Sequence, residues 1–122
     1  MLTGQTVLVV EEELLIALDI QRVLEAFNVG QTTLAHSVDE AMALEDQWGS
    51  CALAIVDLKR ASPDELALCQ ALRGAGVPLV FTTADYITAR GVPGMKDVAV
   101  VLKPVPEQKL TSAITGALAA RS

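Results

Sequence analysis

Ala52-Leu53-Ala54-Ile55-Val56-Asp57 is an unbroken apolar run closed by a single carboxylate. A run this short, with no polar residue in alternation, reads as a strand buried on both faces that ends at Asp57. Such strands belong to parallel sheets covered by helices, so the flanking sequence should supply more strands with helical patterns between them. It does so in both directions. Thr6-Val7-Leu8-Val9-Val10 is a similar β-branched run, and Thr32-Thr33-Leu34-Ala35 is a weaker one. Downstream stand Leu79-Val80-Phe81-Thr82-Thr83 and Val98-Ala99-Val100-Val101-Leu102.

The intervening segments carry helical spacing and helix punctuation. Ile16, Ile20, Val23, Leu24 and Phe27 draw one helix face, stopped by Asn28-Val29-Gly30. Ser37-Val38-Asp39-Glu40 has the form of a capping box and predicts a second helix reaching about Trp48. Ser62-Pro63-Asp64-Glu65 is another capping box, opening a helix to about Arg73 that Gly74 and Gly76 end. A short helix is expected over 84–90, stopped by Gly91-Val92-Pro93-Gly94. Pro104 is expected to open a last helix with Leu110, Ile114 and Leu118 on one face. Five strand-helix units with right-handed crossovers predict an α/β, flavodoxin-like doubly wound sheet of order 2-1-3-4-5 with five helices.

Composition agrees with that class. The chain has 122 residues, enough for one domain, and is 52% hydrophobic but only 3% aromatic. Its core must be built from Leu, Val, Ile and Ala. A net charge of -6 with no basic stripe argues against nucleic-acid binding. No apolar stretch approaches a membrane span, and the N-terminus has no signal-peptide form, so a cytoplasmic protein without membrane contact is expected. Cys51 and Cys69 lack a pairing motif and read as free thiols.

The residues that follow the strands carry the chemistry. In a parallel sheet all strand ends share one edge, and ligands bind beyond it where the order reverses, between the first and third strands. The first strand ends in Glu11-Glu12-Glu13, the third in Asp57, the fourth in Thr82-Thr83 and the fifth in Lys103-Pro104. Carboxylates crowded there repel one another unless a cation sits among them, and Mg²⁺ with oxygen ligands suits the need. A carboxylate beside such a cation is a candidate nucleophile toward a phosphoryl group, whose oxygens Mg²⁺, the Lys103 ammonium and the Thr83 hydroxyl would share. Each residue has a plainer reading. Glu11, Glu12 and Glu13 suit a helix N-terminus, Asp57 a turn, Thr83 ordinary strand composition and Lys103 a solvated surface. His36 reads as a surface or loop residue, and Trp48 and Tyr86 as packing or surface residues.

Val7-Leu8-Val9-Val10-Glu11-Glu12-Glu13, Ile55-Val56-Asp57, Thr83-Ala84 and Lys103-Pro104 together resemble the receiver domain of two-component response regulators, over essentially the whole chain. The resemblance implies one receiver domain over 1–122, with no output domain. It implies that Asp57 accepts a phosphoryl group from a sensor histidine kinase or histidine phosphotransfer protein. Glu11, Glu12 and Asp57 would hold Mg²⁺ with the backbone carbonyl of Lys59, and Thr83 and Lys103 would bind the phosphoryl group. Lys103-Pro104 would be cis. Such a chain is a self-phosphorylating acceptor rather than a turnover enzyme, a monomer that signals through a downstream protein partner, and its autodephosphorylation would depend on where side chains such as Lys59 and Asp85 lie.

The chain departs from that pattern in places. Glu11-Glu12 stands where Asp-Asp or Glu-Asp is usual, and Val100 where an aromatic switch residue is usual. Leu58-Lys59-Arg60-Ala61-Ser62-Pro63 lacks the familiar loop proline and glycine. Phe81-Thr82-Thr83-Ala84-Asp85-Tyr86 is a loose form of the Phe-Ala-Thr-Gly-x-Tyr motif of some single-domain receivers, in which Tyr86 would replace the missing reporter. A phosphorylation-independent pseudo-receiver is the alternative. A phosphatase on this fold lacks a dedicated acid, and a flavin site lacks a phosphate-cradling loop.

Overall fold

The run that ends at Asp57 is the central strand of a five-stranded sheet. The computed structural model describes residues 2–121. Strands β1 (Thr6–Val10), β2 (Gln31–Ala35), β3 (Cys51–Asp57), β4 (Leu79–Thr83) and β5 (Val100–Leu102) are all parallel, in the order β2-β1-β3-β4-β5. The helical segments are α1 (Leu14–Glu25), α2 (Val38–Met42) continued by a 3₁₀ turn (Glu45–Ser50), α3 (Pro63–Gly74), a 3₁₀ turn (Thr88–Arg90) and α4 (Glu107–Arg121). This is the doubly wound arrangement that the strand-helix alternation predicts.

Because side chains alternate along a strand, each central strand feeds two cores. Val7, Val9, Leu53, Ile55, Val80 and Val101 pack with Ile20 and Leu24 of α1 and Leu110 and Ile114 of α4. Leu8, Val10, Ala54, Val56, Leu79 and Phe81 pack with Leu68, Cys69 and Leu72 of α3 and with Trp48. Both cysteines are free and buried, as their spacing suggests. Leu14, Leu15 and Leu18 on the first turns of α1 are exposed. Among the described residues no helix is long and apolar enough to cross a membrane.

Three helix boundaries differ from the sequence expectation, each for a local reason. Ser37 accepts a hydrogen bond from the Glu40 N–H, but the Glu40 carboxylate takes the N–H of His36 instead of completing a capping box. The buried Trp48 donates its indole N–H to Ala41 O at 3.1 Å, the carbonyl that a continued helix would offer to Glu45. So α2 stops at Met42 and a 3₁₀ turn follows. The expected helix over 84–90 shrinks to one turn, because Asp85 caps it by accepting from Thr88 N–H at 3.2 Å and Thr88 Oγ1 at 2.6 Å, and Gly91, at φ 135°, ends it. The last helix begins at Glu107 rather than Pro104; the first turn is closed by the Leu110 N–H donating to Pro106 O. The Lys103–Pro104 bond is cis.

Candidate active site at the carboxyl edge of the sheet

The alternation that divides the two cores also decides which strand-end residues meet. Glu11 continues the series Val7, Val9; Asp57 continues Leu53, Ile55; Thr82 follows Val80 and Lys103 follows Val101. All four lie on the α1 and α4 side of the sheet. The ladder holds them level, with Val10 paired to Val56, Asp57 to Thr82 and Thr82 to Val101.

Lys103 is the centre of this group. Its Nζ lies 2.7 Å from Glu11 Oε1 and 2.9 Å from Asp57 Oδ1. The side chains of Lys103 and Asp57 are each 10% exposed and that of Glu11 only 1%, so this triad is shielded from water. Burial works to lower the Lys103 pKa, but the contacts and charges of Glu11 and Asp57 outweigh it and hold the ammonium above its ordinary value. Thr82, fully buried, donates its hydroxyl to Asp57 Oδ1 at 3.1 Å. Asp57 Oδ2 has no hydrogen bond or ion pair among the described residues. Glu11 Oε2 accepts from the Glu13 N–H at 3.1 Å, at the start of α1.

Glu12 and Lys59 form a second, wetter pair, 2.7 Å apart, with side chains 52% and 61% exposed. Lys59 lowers the Glu12 pKa and Glu12 raises that of Lys59. The loop that carries Lys59 is fixed by Glu65. Its Oε2 accepts from Lys59 N–H at 2.7 Å and its Oε1 from Ser62 N–H at 2.9 Å, while Ser62 Oγ accepts from Glu65 N–H at 3.3 Å. This is the capping box read from the sequence, and it spans a loop in which Ala61 has φ 52°. An open cleft of about 500 Å³ lies above, with Glu11, Glu12, Asp39, Asp57, Lys59 and Arg60 among its walls.

Thr83 faces the other way. Its hydroxyl donates to Leu58 O at 2.5 Å and accepts from the Asp85 N–H at 3.1 Å, so it does not touch Asp57. Sequence reasoning singled out Thr83 and passed over Thr82, and it read Glu65 as a helix cap without its hold on the Lys59 N–H. The missed signal was parity: Thr82 has the same phase as Asp57 once the two strands are in register. His36 is exposed, as expected, with Nδ1 3.4 Å from Glu11 O.

The donor chemistry suits a hard cation: the acids offer only oxygen, and Glu11 Oε1 is buried with no well-aligned hydrogen bond, only the Lys103 ammonium beside it. The two lysines, however, already pair with all three acids, Lys103 with Glu11 and Asp57 and Lys59 with Glu12. Among the described residues no three Asp, Glu, His or Cys side chains gather about one point to hold a metal.

No protein-family model matches the chain, and no curated protein matches its sequence. Solved structures do match. A response regulator receiver protein from Sinorhizobium medicae WSM419 is 20% identical, with all of both chains covered and a TM-score of 0.82. The chain has the receiver-domain fold. The PhyR receiver domain of Erythrobacter litoralis is 20% identical over 95% of this chain and 91% of that one, with a TM-score of 0.76. SdrG from Pseudomonas melonis Fr1, solved in a BeF3-activated conformation, is 25% identical over 97% of this chain and 99% of that one, with a TM-score of 0.75.

Proposed function

We propose that this chain is a response regulator receiver of the cytoplasm, acting as a monomer, that accepts a phosphoryl group on Asp57 from a histidine kinase or phosphotransfer protein. The observation that carries the reading is the shielded carboxylate of Asp57, tied by one oxygen to Lys103 and Thr82 and free at the other, at the switch point of a receiver fold. A nucleophile needs an unengaged lone pair and a cation near the oxygens of the incoming group. Oδ2 supplies the first and Lys103 the second. Mg²⁺, held by Glu11, Glu12, Asp57 and the Lys59 carbonyl, would add charge neutralisation at the phosphoryl oxygens. Glu12 must then turn from Lys59.

Thr83 would bind the phosphoryl group by giving up Leu58 O. That exchange would also disturb the Asp85 N–H that Thr83 accepts, and through Asp85 the Thr88 turn. Tyr86 and Ile87, both 75% exposed, lie within that segment and are the natural surface for a downstream partner to read in place of an aromatic at Val100. The test is intact mass after incubation with Mg²⁺ and an acyl phosphate or phosphoramidate. Wild type should gain one phosphoryl group and Asp57→Asn none. A folded wild type that gains nothing from either donor overturns the proposal. The Glu12–Lys59 pair favours a second reading, a binding module indifferent to phosphate. Partner affinity that Asp57→Asn and Mg²⁺ removal leave unchanged would select it.

A further inference from the structure

We infer that Thr82 positions the phospho-acceptor: its hydroxyl holds Oδ1 of Asp57 so that Oδ2 is the oxygen that attacks phosphorus. This rests on the reading of Asp57 as acceptor and adds a residue to it.

A carboxylate has two equivalent oxygens and turns about its last torsion with little resistance. Here that freedom is removed. Oδ1 meets the Lys103 ammonium at 2.9 Å and the Thr82 hydroxyl at 3.1 Å, two donors from two different strand ends. Lys103 alone would not fix the plane, because its ammonium is shared with Glu11 at 2.7 Å. Thr82 is anchored inside β4, level with Asp57 in the ladder and fully buried, so it cannot follow a rotating carboxylate. Donors on Oδ1 also draw electron density from that oxygen. Oδ2, with no donor among the described residues, keeps the more available lone pair.

The step balances on the acceptor as follows. The Oδ2 lone pair forms the bond to phosphorus while the bond from phosphorus to the donor's leaving atom breaks. That electron pair departs on the leaving group, an imidazole for a phosphohistidine or a carboxylate for an acyl phosphate. Oδ1 becomes the acyl carbonyl oxygen and keeps its hydrogen bond from Thr82 throughout.

A buried threonine also has a plainer use, in which its hydroxyl merely finds an acceptor and its methyl fills space. Substitutions separate the two. Thr82→Val keeps the shape and loses the donor; Thr82→Ser keeps the donor and loses the methyl. Single-turnover phosphorylation by an acyl phosphate should slow about tenfold in Thr82→Val, as for a lost hydrogen bond to a charged group, and stay within about twofold of wild type in Thr82→Ser. Thr82→Ala reads the same loss of hydroxyl if the valine variant does not fold. A packing role reverses the order, with serine and alanine the impaired proteins and valine normal. A valine or alanine variant at the wild-type rate overturns the inference while leaving Asp57 as acceptor. A wild type that forms no adduct overturns both.

Discussion

At the residue scale the site is a contest between cations. Lys103 is buried between two carboxylates, and removing it would strand both charges, so its ion pairs weigh heavily on the state of the site. The Glu12–Lys59 pair is different. It is exposed, and solvent screens pairs of that kind so that they contribute little. It can therefore open readily, and it is the contact that Glu12 would give up to reach the proposed metal. Lys59→Ala should raise Mg²⁺ affinity by up to about fivefold, because the competing ammonium is gone and the backbone carbonyl remains. Isothermal titration with Mg²⁺ reads this directly, without phosphate; an affinity equal to or below wild type would show that Lys59 does not compete.

At the element scale, α3 and the loop before it depend on one carboxylate. Glu65 is buried and gathers the N–H groups of Lys59 and Ser62, with a longer contact to that of Arg60 at 3.4 Å. The loop lacks the proline and glycine common in receivers, so side-chain acceptance replaces backbone restriction. Ser62→Ala removes one cap bond and should destabilise by about 1 kcal/mol. Glu65→Ala removes the charged acceptor of two close loop N–H bonds and should exceed it, at about 2–3 kcal/mol. Urea unfolding of the two variants checks the ranking, and equal losses would mean that the loop N–H groups find water instead. This element was legible early: Ser62-Pro63-Asp64-Glu65 spells its own N-terminus. The single turn at Thr88–Arg90 was not, because Asp85 caps it from a position the apolar pattern does not mark.

At the scale of the whole molecule, the two cores are nearly free of polar groups, and Cys69 lies wholly inside one of them. Burial, aided by the charge of Glu65, pushes its thiol from the ordinary value of 9.0 up to about 12. The sign follows from the neutral form being the one the fold favours. Below pH 9.0 both states keep the proton and stability is unaffected; from there to about 12 the unfolded thiol ionises while the folded one does not. Stability should fall across that window, by at most about 1.4 kcal/mol per pH unit. Urea unfolding at pH 8, 9 and 10 should show a steeper loss in wild type than in Cys69→Ala. Parallel slopes would show that the thiol does not carry the effect.

What the sequence determined by itself was the order and kind of the elements, since five apolar runs separated by helical spacing leave few parallel topologies. It also placed Glu11, Asp57 and Lys103 at one edge, because every strand of a parallel sheet ends there. Only the tertiary structure decided which threonine meets Asp57. In a strand buried on both faces apolar and polar residues do not alternate, so the run does not reveal which side each side chain takes. Register between β3 and β4 supplies that phase, and it turns Thr82 toward the carboxylate and Thr83 toward Leu58 O. The pairing of Glu12 with Lys59 was beyond the sequence for a related reason: it joins the end of one strand to the loop after another, and only the folded sheet brings them together.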